Sequence, residues 1–467
     1  MHHRLDSFLS KNNILYENQY GFRRGRSCEQ ALLSAQNSIL DNLNKKQITL
    51  LLLIDFSKAF DMVDHDILLR KLSHYGIRGI ALKWFESYLK NREQYTHVNN
   101  VNSKTGKLAH GVPQGSILGP LLFIIYANDL PNIHKALRFI LYADDANILI
   151  VGRDMNEIKN QLDQLTSALI NWVNTNGLSL NIKKTKYMLF ANTKIPSDFT
   201  ATMANVPIER TSVARFLGVL VDENLTWKQH IATLQTKMTR NAGILLRLKG
   251  ILPISILKTL YHSFIQSQLN HCPLIWGLGN KNTLNPLFTA QKRAIRTLIP
   301  GFANYFYNKK TGEHPHHTKA VFAQHGIQTV HNLILQRALT FMHKVINHLT
   351  PAVTASYFHI DSHPPVADAL TQTRFIIPTA RLKPHKNSVF AKGPSLFNNI
   401  IPLIPSALPT KHNPTLMALP KPFKNCIKAH LMKQQALGDP NEWTITNFSL
   451  YIGTRKSLRI AAHSKQI

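Results

Sequence analysis

The chain has 467 residues, 44% of them hydrophobic, and a formal net charge of +30. This length and composition suit two or three domains with their own cores and exclude a wholly disordered chain. Three cysteines exclude a disulfide scaffold, and the apolar runs are too short to span a bilayer. We therefore expect an intracellular protein, in the nucleus, the cytoplasm or both, without a signal peptide or transmembrane segment.

Strands and helices alternate through the first half of the chain. Residues 1–47 are predicted to be helical around a basic turn at 21–27, and a buried strand follows at 48–54. The later predicted elements are helices at 59–74 and 81–89, a loop at 111–116 that opens an apolar helix at 117–128, a strand–turn–strand around 137–150, a helix at 155–174, strands at 186–191 and 215–221, and helices at 227–248 and 330–347. This alternation indicates an α/β or α+β core with a helical appendage.

Positive charge is concentrated in the second half of the chain. Residues 1–223 carry 26 Lys and Arg against 20 Asp and Glu, whereas residues 224–467 carry 29 against 5. A large field of one sign attracts polyanions, so nucleic acid is the expected partner. An anionic membrane surface is the alternative, but the sequence contains no long amphipathic basic helix that favours it.

Two adjacent acids, Asp144 and Asp145, lie between the apolar runs of residues 137–141 and 146–150. The flanks predict two strands, so the acids would stand at the tip of a hairpin, where like charges repel unless a cation is present. Such a pair suits binding of divalent metal ions for phosphoryl chemistry. The alternative is a structural turn, since Asp is a common turn residue.

Asp55 is a third candidate ligand, because it follows the buried strand at 48–54. An acid at this position costs free energy unless it is paired or coordinated. It could instead be the N-cap of the next helix. If Asp55 lies beside the hairpin, the three aspartates could converge on two divalent ions, an arrangement that suits in-line attack on phosphorus.

The ordered motifs resemble those of reverse transcriptases of non-LTR retrotransposons, in particular jockey-like elements. The matching segments are residues 21–27 (GFRRGRS), 52–69 (LLIDFSKAFDMVDHDILL), 111–120 (GVPQGSILGP), 142–145 (YADD), 177–185 (GLSLNIKKT) and 216–219 (FLGV). The resemblance covers roughly residues 10–300. It implies an α+β fold with a right-hand polymerase palm, an antiparallel sheet with helices, with partial fingers, a helical thumb and a poorly defined basic C-terminal region.

The resemblance also implies an activity and its catalytic residues. The chain would be an RNA-directed DNA polymerase, with Asp55, Asp144 and Asp145 binding two Mg²⁺ ions, or Mn²⁺ as a substitute. Lys184 matches the position proposed to protonate pyrophosphate, with Lys183 and Lys186 as alternatives. The implied partners are an RNA template, a DNA primer, their hybrid and deoxynucleoside triphosphates.

Further residues are expected to contact the nucleotide or nucleic acid. By resemblance, Phe60 would lie against the sugar 2′ position and Phe56 in the nucleotide pocket, although either ring could simply pack in the core. The remaining nucleotide-binding candidates are Gln114, Gly115, Arg23, Arg24 and Arg26. The candidates for phosphate contacts in the thumb-like region are Lys228, Lys237, Arg240, Arg247, Lys292, Arg293 and Arg296. For any one of these basic residues the alternative is a solvated surface position.

We expect four regions: partial fingers (1–47), palm (48–222), thumb-like helices (223–300) and a basic C-terminal region of unknown role (301–467). Related polymerases carry more fingers sequence before the GFRRGRS motif, whereas 20 residues precede it here. This difference predicts an N-terminally truncated reading frame. Two alternative functions stay open: a catalytically inactive nucleic-acid-binding remnant and a protein like the maturases of group II introns.

Overall fold

The computed structural model describes residues 1–193, 195–196, 199–279, 281–298, 322, 325–361, 374–401 and 420–437. The chain divides into two compact units, Met1–Ala214 and Arg215–Ile467. The first unit combines the regions expected as fingers and palm, and it ends a little before the expected boundary at residue 222. The second unit combines the thumb-like and C-terminal regions.

The first unit is built from helices and a mixed sheet, as the α+β prediction requires. Its helices are α1 (His2–Lys11), α2 (Cys28–Asn44), α3 (His65–His74), α4 (Gly79–Leu89), α5 (Gly119–Tyr126) and α6 (Met155–Thr175). Its strands are β1 (Ile48–Ile54), β2 (Arg92–Gln94), β3 (His97–Val98), β4 (Val101–Asn102), β5 (Gly106–Leu108), β6 (Arg138–Tyr142), β7 (Asp145–Gly152), β8 (Lys186–Phe190), β9 (Ala201–Met203) and β10 (Val206–Arg210).

The main sheet has six strands in the order β6-β7-β1-β8-β10-β9. All neighbours are antiparallel except β8 and β10, which are parallel. The central strand β1 pairs with β7 on one side and β8 on the other, so Leu50 lies opposite both Ile150 and Leu189. A strand covered on both faces reads as a continuous apolar run, which explains the sequence Leu50 to Ile54.

The hydrophobic core lies between this sheet and its helices. On one face, Leu50 and Leu52 of β1 are fully buried in a cluster with Leu122 of α5 and Leu165 of α6. Helix α2 also packs on β1 and β6. Full burial of a leucine contributes about 1.5–3 kcal/mol, so this core fixes the end of β1 and therefore the position of the acid that follows it.

One predicted helix begins later than expected. The sequence predicted a helix over residues 59–74, whereas α3 begins at His65, with the Asp64 side chain accepting the backbone N–H of Ile67 at 2.8 Å. The carbonyls of Phe60 and Val63 accept backbone N–H groups from residues 112 and 111 instead. These residues therefore hold the loop at 111–116 rather than continuing a helix. Asp64 also takes the capping role considered for Asp55.

The second unit is mainly helical in its described residues. It starts within the hairpin β11 (Val213–Phe216) and β12 (Val219–Asp222), which replaces the single strand predicted at 215–221. It continues with α7 (Lys228–Leu248), α8 (Ile254–Tyr261), a π-helical turn (His262–Gln266), α9 (Ser267–Asn270), α10 (Pro273–Trp276) and α11 (Lys281–Leu298). Further elements lie at Val330–Ile346, Ala352–Ala355, Ile360–Asp361, Arg374–Phe375, Lys383–Lys386, Val389–Ile400 and Pro420–Leu437.

Helix α7 packs against α11, which in turn packs against the helix Val330–Ile346. The start of α7 is held by Asp222, whose buried carboxylate accepts the backbone N–H groups of Asn224, Thr226 and Trp227 at 2.8–3.2 Å. None of the helices in the described ranges is long and apolar enough to cross a bilayer.

A buried histidine should make the second unit sensitive to acid. Nδ1 of His230 on α7 accepts a hydrogen bond from the backbone N–H of Leu220. Burial of the ring lowers the pKa of His230 to about 4, and the nearby charges of His271, Lys237 and Arg215 add to this shift. Between about pH 6.5 and pH 4 the unfolded chain therefore binds the proton and the folded chain does not. Stability from this group is present above pH 6.5 and is lost as the pH falls towards 4.

Urea unfolding followed by circular dichroism at pH 7.5 and pH 5 measures this loss. We expect His230→Asn, which keeps an acceptor but does not titrate, to lose less stability on acidification than the wild type. The exposed His3 provides the matched control, and His3→Asn should lose as much as the wild type. Equal losses in the wild type and His230→Asn would show that another group governs the acid response.

Candidate functional site

The two adjacent acids lie at the tip of the β6–β7 hairpin, as predicted from their flanks. Tyr142 pairs with Asp145, which leaves Ala143 and Asp144 as a two-residue turn. Ala143 has a φ of 57°, in the left-handed region that residues with a Cβ disfavour. The surrounding structure must therefore hold this turn against its local preference.

Asp55 lies at the same end of the sheet. Ile54, the last residue of β1, pairs with Ala146, so Asp55, which follows it, lies next to Asp145 on β7. Asp145 keeps contact with solvent, yet loss of water around its carboxyl group raises its pKa to about 6, and the charges of Asp144 and Asp55 add to this shift. The three carboxylates thus form one repelling group, which a cation would stabilise.

These residues fit a divalent cation by their chemistry, because hard ions such as Mg²⁺ prefer carboxylate oxygens. However, across the ranges that the structure describes, no three His, Cys, Asp or Glu side chains are gathered closely enough to hold a metal ion. The aspartates are therefore neighbours at one sheet end without being a preassembled ligand set.

Of the three candidate lysines, Lys184 is the one placed beside an aspartate. Its Nζ lies 3.9 Å from Oδ2 of Asp55. Lys186 instead pairs with Glu209 at 2.9 Å, on the neighbouring strand β10, and Lys183 is exposed. The chain before Lys184 is fixed to the end of β1, because the backbone N–H of Asn181 donates to the carbonyl of Asp55 at 2.8 Å.

The segment before the basic turn supports the aspartate hairpin from the edge of the sheet. Tyr20 donates its backbone N–H to the carbonyl of Leu141 at 2.7 Å, and the buried Gln19 side chain accepts the N–H groups of Gly21 and Ala143 at 2.8 and 3.1 Å. Sequence reasoning missed Gln19, because a polar residue in a loop gives no signal that it will be buried.

Gly21 lies so close to the hairpin that no side chain fits. A Cβ at this position would stand 2.3 Å from the backbone N of Ala143 and 3.0 Å from the carbonyl carbon of Tyr142. The first glycine of the GFRRGRS segment is therefore required by the backbone of the Asp144 turn.

Two of the three candidate arginines bind their own loop. The Arg23 guanidinium donates to the carbonyl of Tyr16 at 2.8 Å, and burial, with the nearby Arg26 charge, lowers its pKa to about 10. Arg26 donates to the carbonyl of Glu17 and lies over the Tyr20 ring. Arg24 is exposed. The first two therefore order the loop that supports the hairpin, and Arg24 is the best placed of the three to reach a phosphate.

The two candidate aromatic residues occupy different environments. Phe56 is buried in the core, with its ring 6.4 Å from that of Trp172, as the core-packing alternative predicted. Phe60 is half-buried; its ring stacks on Phe123 at 4.4 Å and meets the exposed Phe22 edge-on at 6.3 Å. Phe60 is thus the ring that keeps a solvent-facing side.

The Gln114 loop is tied to the segment that follows Asp55. Gln114 Nε2 donates to Oδ1 of Asp61 at 2.7 Å. Gly111 has a φ of 91°, and a Cβ at this residue would stand 3.0 Å from the Asp61 carbonyl oxygen. A Cβ at Gly115, in contrast, would have no atom within 4 Å. A cavity of about 550 Å³ adjoins this loop, lined by residues that include Asp61, Arg92, His110 and Gln114.

The candidate phosphate-binding residues of the second unit lie on α7 and α11. The exposed ones are Lys228, Lys237, Arg240, Arg247, Arg293 and Arg296. Lys292 is half-buried, with its Nζ 4.8 Å from the Phe288 ring centroid. Both helices therefore carry exposed positive charge, as expected for contacts with a phosphate backbone.

Comparison with known proteins gives a consistent result. Residues 1–221 match the family described as reverse transcriptase (RNA-dependent DNA polymerase). The chain is 29% identical over 313 residues to the probable RNA-directed DNA polymerase from transposon BS of Drosophila melanogaster, covering 63% of this chain and 34% of that protein. It is 25% identical over 291 residues to the polymerase from the mobile element jockey of the same species, covering 60% and 31%.

The chain thus spans about a third of the length of these curated relatives. Among solved structures, telomerase from Candida albicans in complex with a fragment of telomeric RNA overlaps 65% of this chain and 55% of its own, at 14% identity and a TM-score of 0.37.

Proposed function

We propose that this chain, whose residues 1–221 are a reverse transcriptase domain of the jockey-like non-LTR retrotransposon family, is an RNA-directed DNA polymerase that adds deoxynucleotides to a primer 3′-hydroxyl. The observation that carries this proposal is that Asp55, Asp144 and Asp145 are neighbours at one end of the sheet. The curated relatives named above are transposon polymerases, which favours this function over that of a maturase.

The residues of the site have separable roles in this reaction. Asp55, Asp144 and Asp145 would hold two Mg²⁺ ions, which when bound activate the primer hydroxyl and stabilise charge on the triphosphate. Lys184, 3.9 Å from Asp55, would give its ammonium proton to the leaving pyrophosphate. Phe60 would set the space beside the sugar, and Gln114 and Gly115 would line the template side of the pocket.

The basic surface of the second unit would bind the template–primer hybrid. Exposed lysine and arginine side chains on α7 and α11 contact phosphates without reading bases, which suits an enzyme that must copy any sequence. An RNA–DNA hybrid has an A-like form that proteins recognise through its backbone and sugars.

Primer extension tests the proposed function directly. The full chain, with an RNA template, an annealed DNA primer and the four deoxynucleotides, should extend the primer when Mg²⁺ or Mn²⁺ is present and stop when the metal is chelated. Binding of the same hybrid, measured separately without deoxynucleotides, should weaken steeply with salt. Binding without any extension would instead identify a catalytically inactive remnant.

A further inference from the structure

A row of partly exposed side chains runs along α4 and ends on β2. It consists of Ile80, Trp84 and the half-buried Tyr88, at the four-residue spacing of one helix face, together with Arg92, the first residue of β2. Ile80 is 89% exposed and Trp84 is 40% exposed. We call these four residues the α4 row. Nothing in the proposed chemistry uses it.

The rings of the α4 row are held in fixed positions. Trp84 and Tyr88 stack with their planes 8° apart and their centroids 5.5 Å apart. The Arg92 guanidinium carbon lies 5.7 Å from the Tyr88 centroid, and the buried Phe85 supports Trp84 edge-on at 5.2 Å. Because the rings are already ordered, a flat partner that stacks on them loses little further side-chain entropy.

The charge around the row suits a polyanion. Residues 78–110 contain six Lys and Arg and two acids, Glu86 and Glu93. Lys90 pairs with Glu86 at 3.2 Å and with Asp66 of α3 at 2.9 Å, so these three charges largely offset one another and the other Lys and Arg side chains supply the positive charge. Flat aromatic faces combined with positive charge bind single-stranded nucleic acid, where bases stack on rings and cations meet phosphates. A protein partner would need apolar contact but not this excess of positive charge.

The row also leads towards the proposed active site. Arg92, at its end, lines the cavity of about 550 Å³ that Gln114 and Asp61 also line. A strand that stacked on Trp84 could therefore continue past Arg92 into the space beside the Gln114 loop, which is the expected template side of the site. The bases of a paired strand are enclosed within the double helix, whereas those of an unpaired strand are free to stack on exposed rings, so the row fits an unpaired strand.

We propose that the α4 row binds the unpaired RNA template before it is copied, with a base stacked on Trp84 and a phosphate at Arg92. This inference rests on the proposed polymerase function for the identity of the strand. The binding itself requires only the rings and charges of the row.

Fluorescence anisotropy with a short labelled oligouridylate tests the row in the full chain. Trp84→Ala should weaken binding about tenfold, because stacking of one base on an aromatic ring contributes about 1–3 kcal/mol. Trp84→Phe, which keeps a ring, should retain most of the affinity. The ratio of the dissociation constants of Trp84→Ala and the wild type should persist at raised salt, where phosphate contacts elsewhere on the chain weaken. Phe264→Ala removes an exposed ring from the second unit and should leave affinity unchanged.

The same variants separate the row from the polymerase proposal. If Trp84→Ala weakens oligouridylate binding but the wild type extends no primer, the row is supported and the polymerase activity is not. If the wild type extends primers and Trp84→Ala binds oligouridylate normally, the row is not a template site. If Trp84→Ala leaves RNA binding unchanged but alters the mass of the protein measured by light scattering, the row is a surface for self-association and the proposal is overturned.

Discussion

Asp145→Asn should abolish primer extension and at the same time make the metal-free chain more resistant to unfolding. A carboxylate that helps to hold the cations, as proposed for Asp145, contributes several kcal/mol of transition-state stabilisation, so its loss should lower the extension rate about a thousandfold. Without metal, however, burial of the Asp145 carboxyl group, and then the charges of Asp144 and Asp55, raise its pKa to about 6. A neutral amide removes the cost of holding a charge there, so the melting temperature at pH 7 should rise.

The raised pKa of Asp145 also determines how the stability of the folded chain changes with pH. Between about pH 4 and pH 6 the folded chain keeps the Asp145 proton more tightly than the unfolded chain does. The wild type therefore loses stability as the pH rises through this window, and the advantage of Asp145→Asn should be larger at pH 7 than at pH 4. Added Mg²⁺ should raise the melting temperature of the wild type but not that of the variant.

Asp163→Asn provides the control, since Asp163 is an exposed acid on α6, and it should change neither extension nor the response to Mg²⁺. Asp144→Asn should lose extension in the same way as Asp145→Asn. Normal extension by either hairpin variant would remove the aspartates from the catalytic site. A lower melting temperature in metal-free Asp145→Asn would show that the carboxylate is paired rather than repelled.

Gly21→Ala should lower primer extension without changing any of the proposed catalytic side chains. The added methyl would stand 2.3 Å from the backbone N of Ala143, an atom that cannot rotate away, so the Asp144 turn must shift. Overpacking of this kind costs about 1–3 kcal/mol of stability. Displacement of a catalytic group by about 1 Å can cost a hundredfold in rate, so we expect activity to fall by about that factor.

The measurement is the extension rate of folded protein, well below the melting temperature of each variant. Gly106→Ala is the matched control, because a Cβ there meets only the Gln94 carbonyl oxygen, at 3.9 Å. It should keep normal extension. If Gly21→Ala loses stability but extends primers at the wild-type rate, the turn tolerates the shift and its position is less critical than the contact implies.

The features of the site that depend only on the local sequence of a strand and its neighbouring turn could be predicted. The apolar runs around Asp144 and Asp145 specify two strands and a turn, and the run before Asp55 specifies a buried strand that ends at an acid. Helix α6 was predicted within one residue of its observed bounds, Met155–Thr175, because its apolar spacing is regular. These signals are local and strong.

Features that depend on contacts between distant segments could not be predicted. Gln19 is buried only because residues far along the chain bring Ala143 to it, and the environment of Phe56 is set by Trp172. The helix predicted from residue 59 is shortened because its carbonyls bind the loop at 111–116. In each case a tertiary partner, invisible to local periodicity, decides the outcome.

The position of β1 in the sheet has a consequence for how the protein is made. Leu50 pairs with Ile150 and Leu189, so its strand has no partner until the ribosome has synthesised β7 and then β8. At about 5–20 residues per second, this delay is on the order of ten seconds. During that time an apolar, uncharged segment prone to aggregation is exposed, and we expect the yield of native protein to depend on chaperones or slow, cool expression.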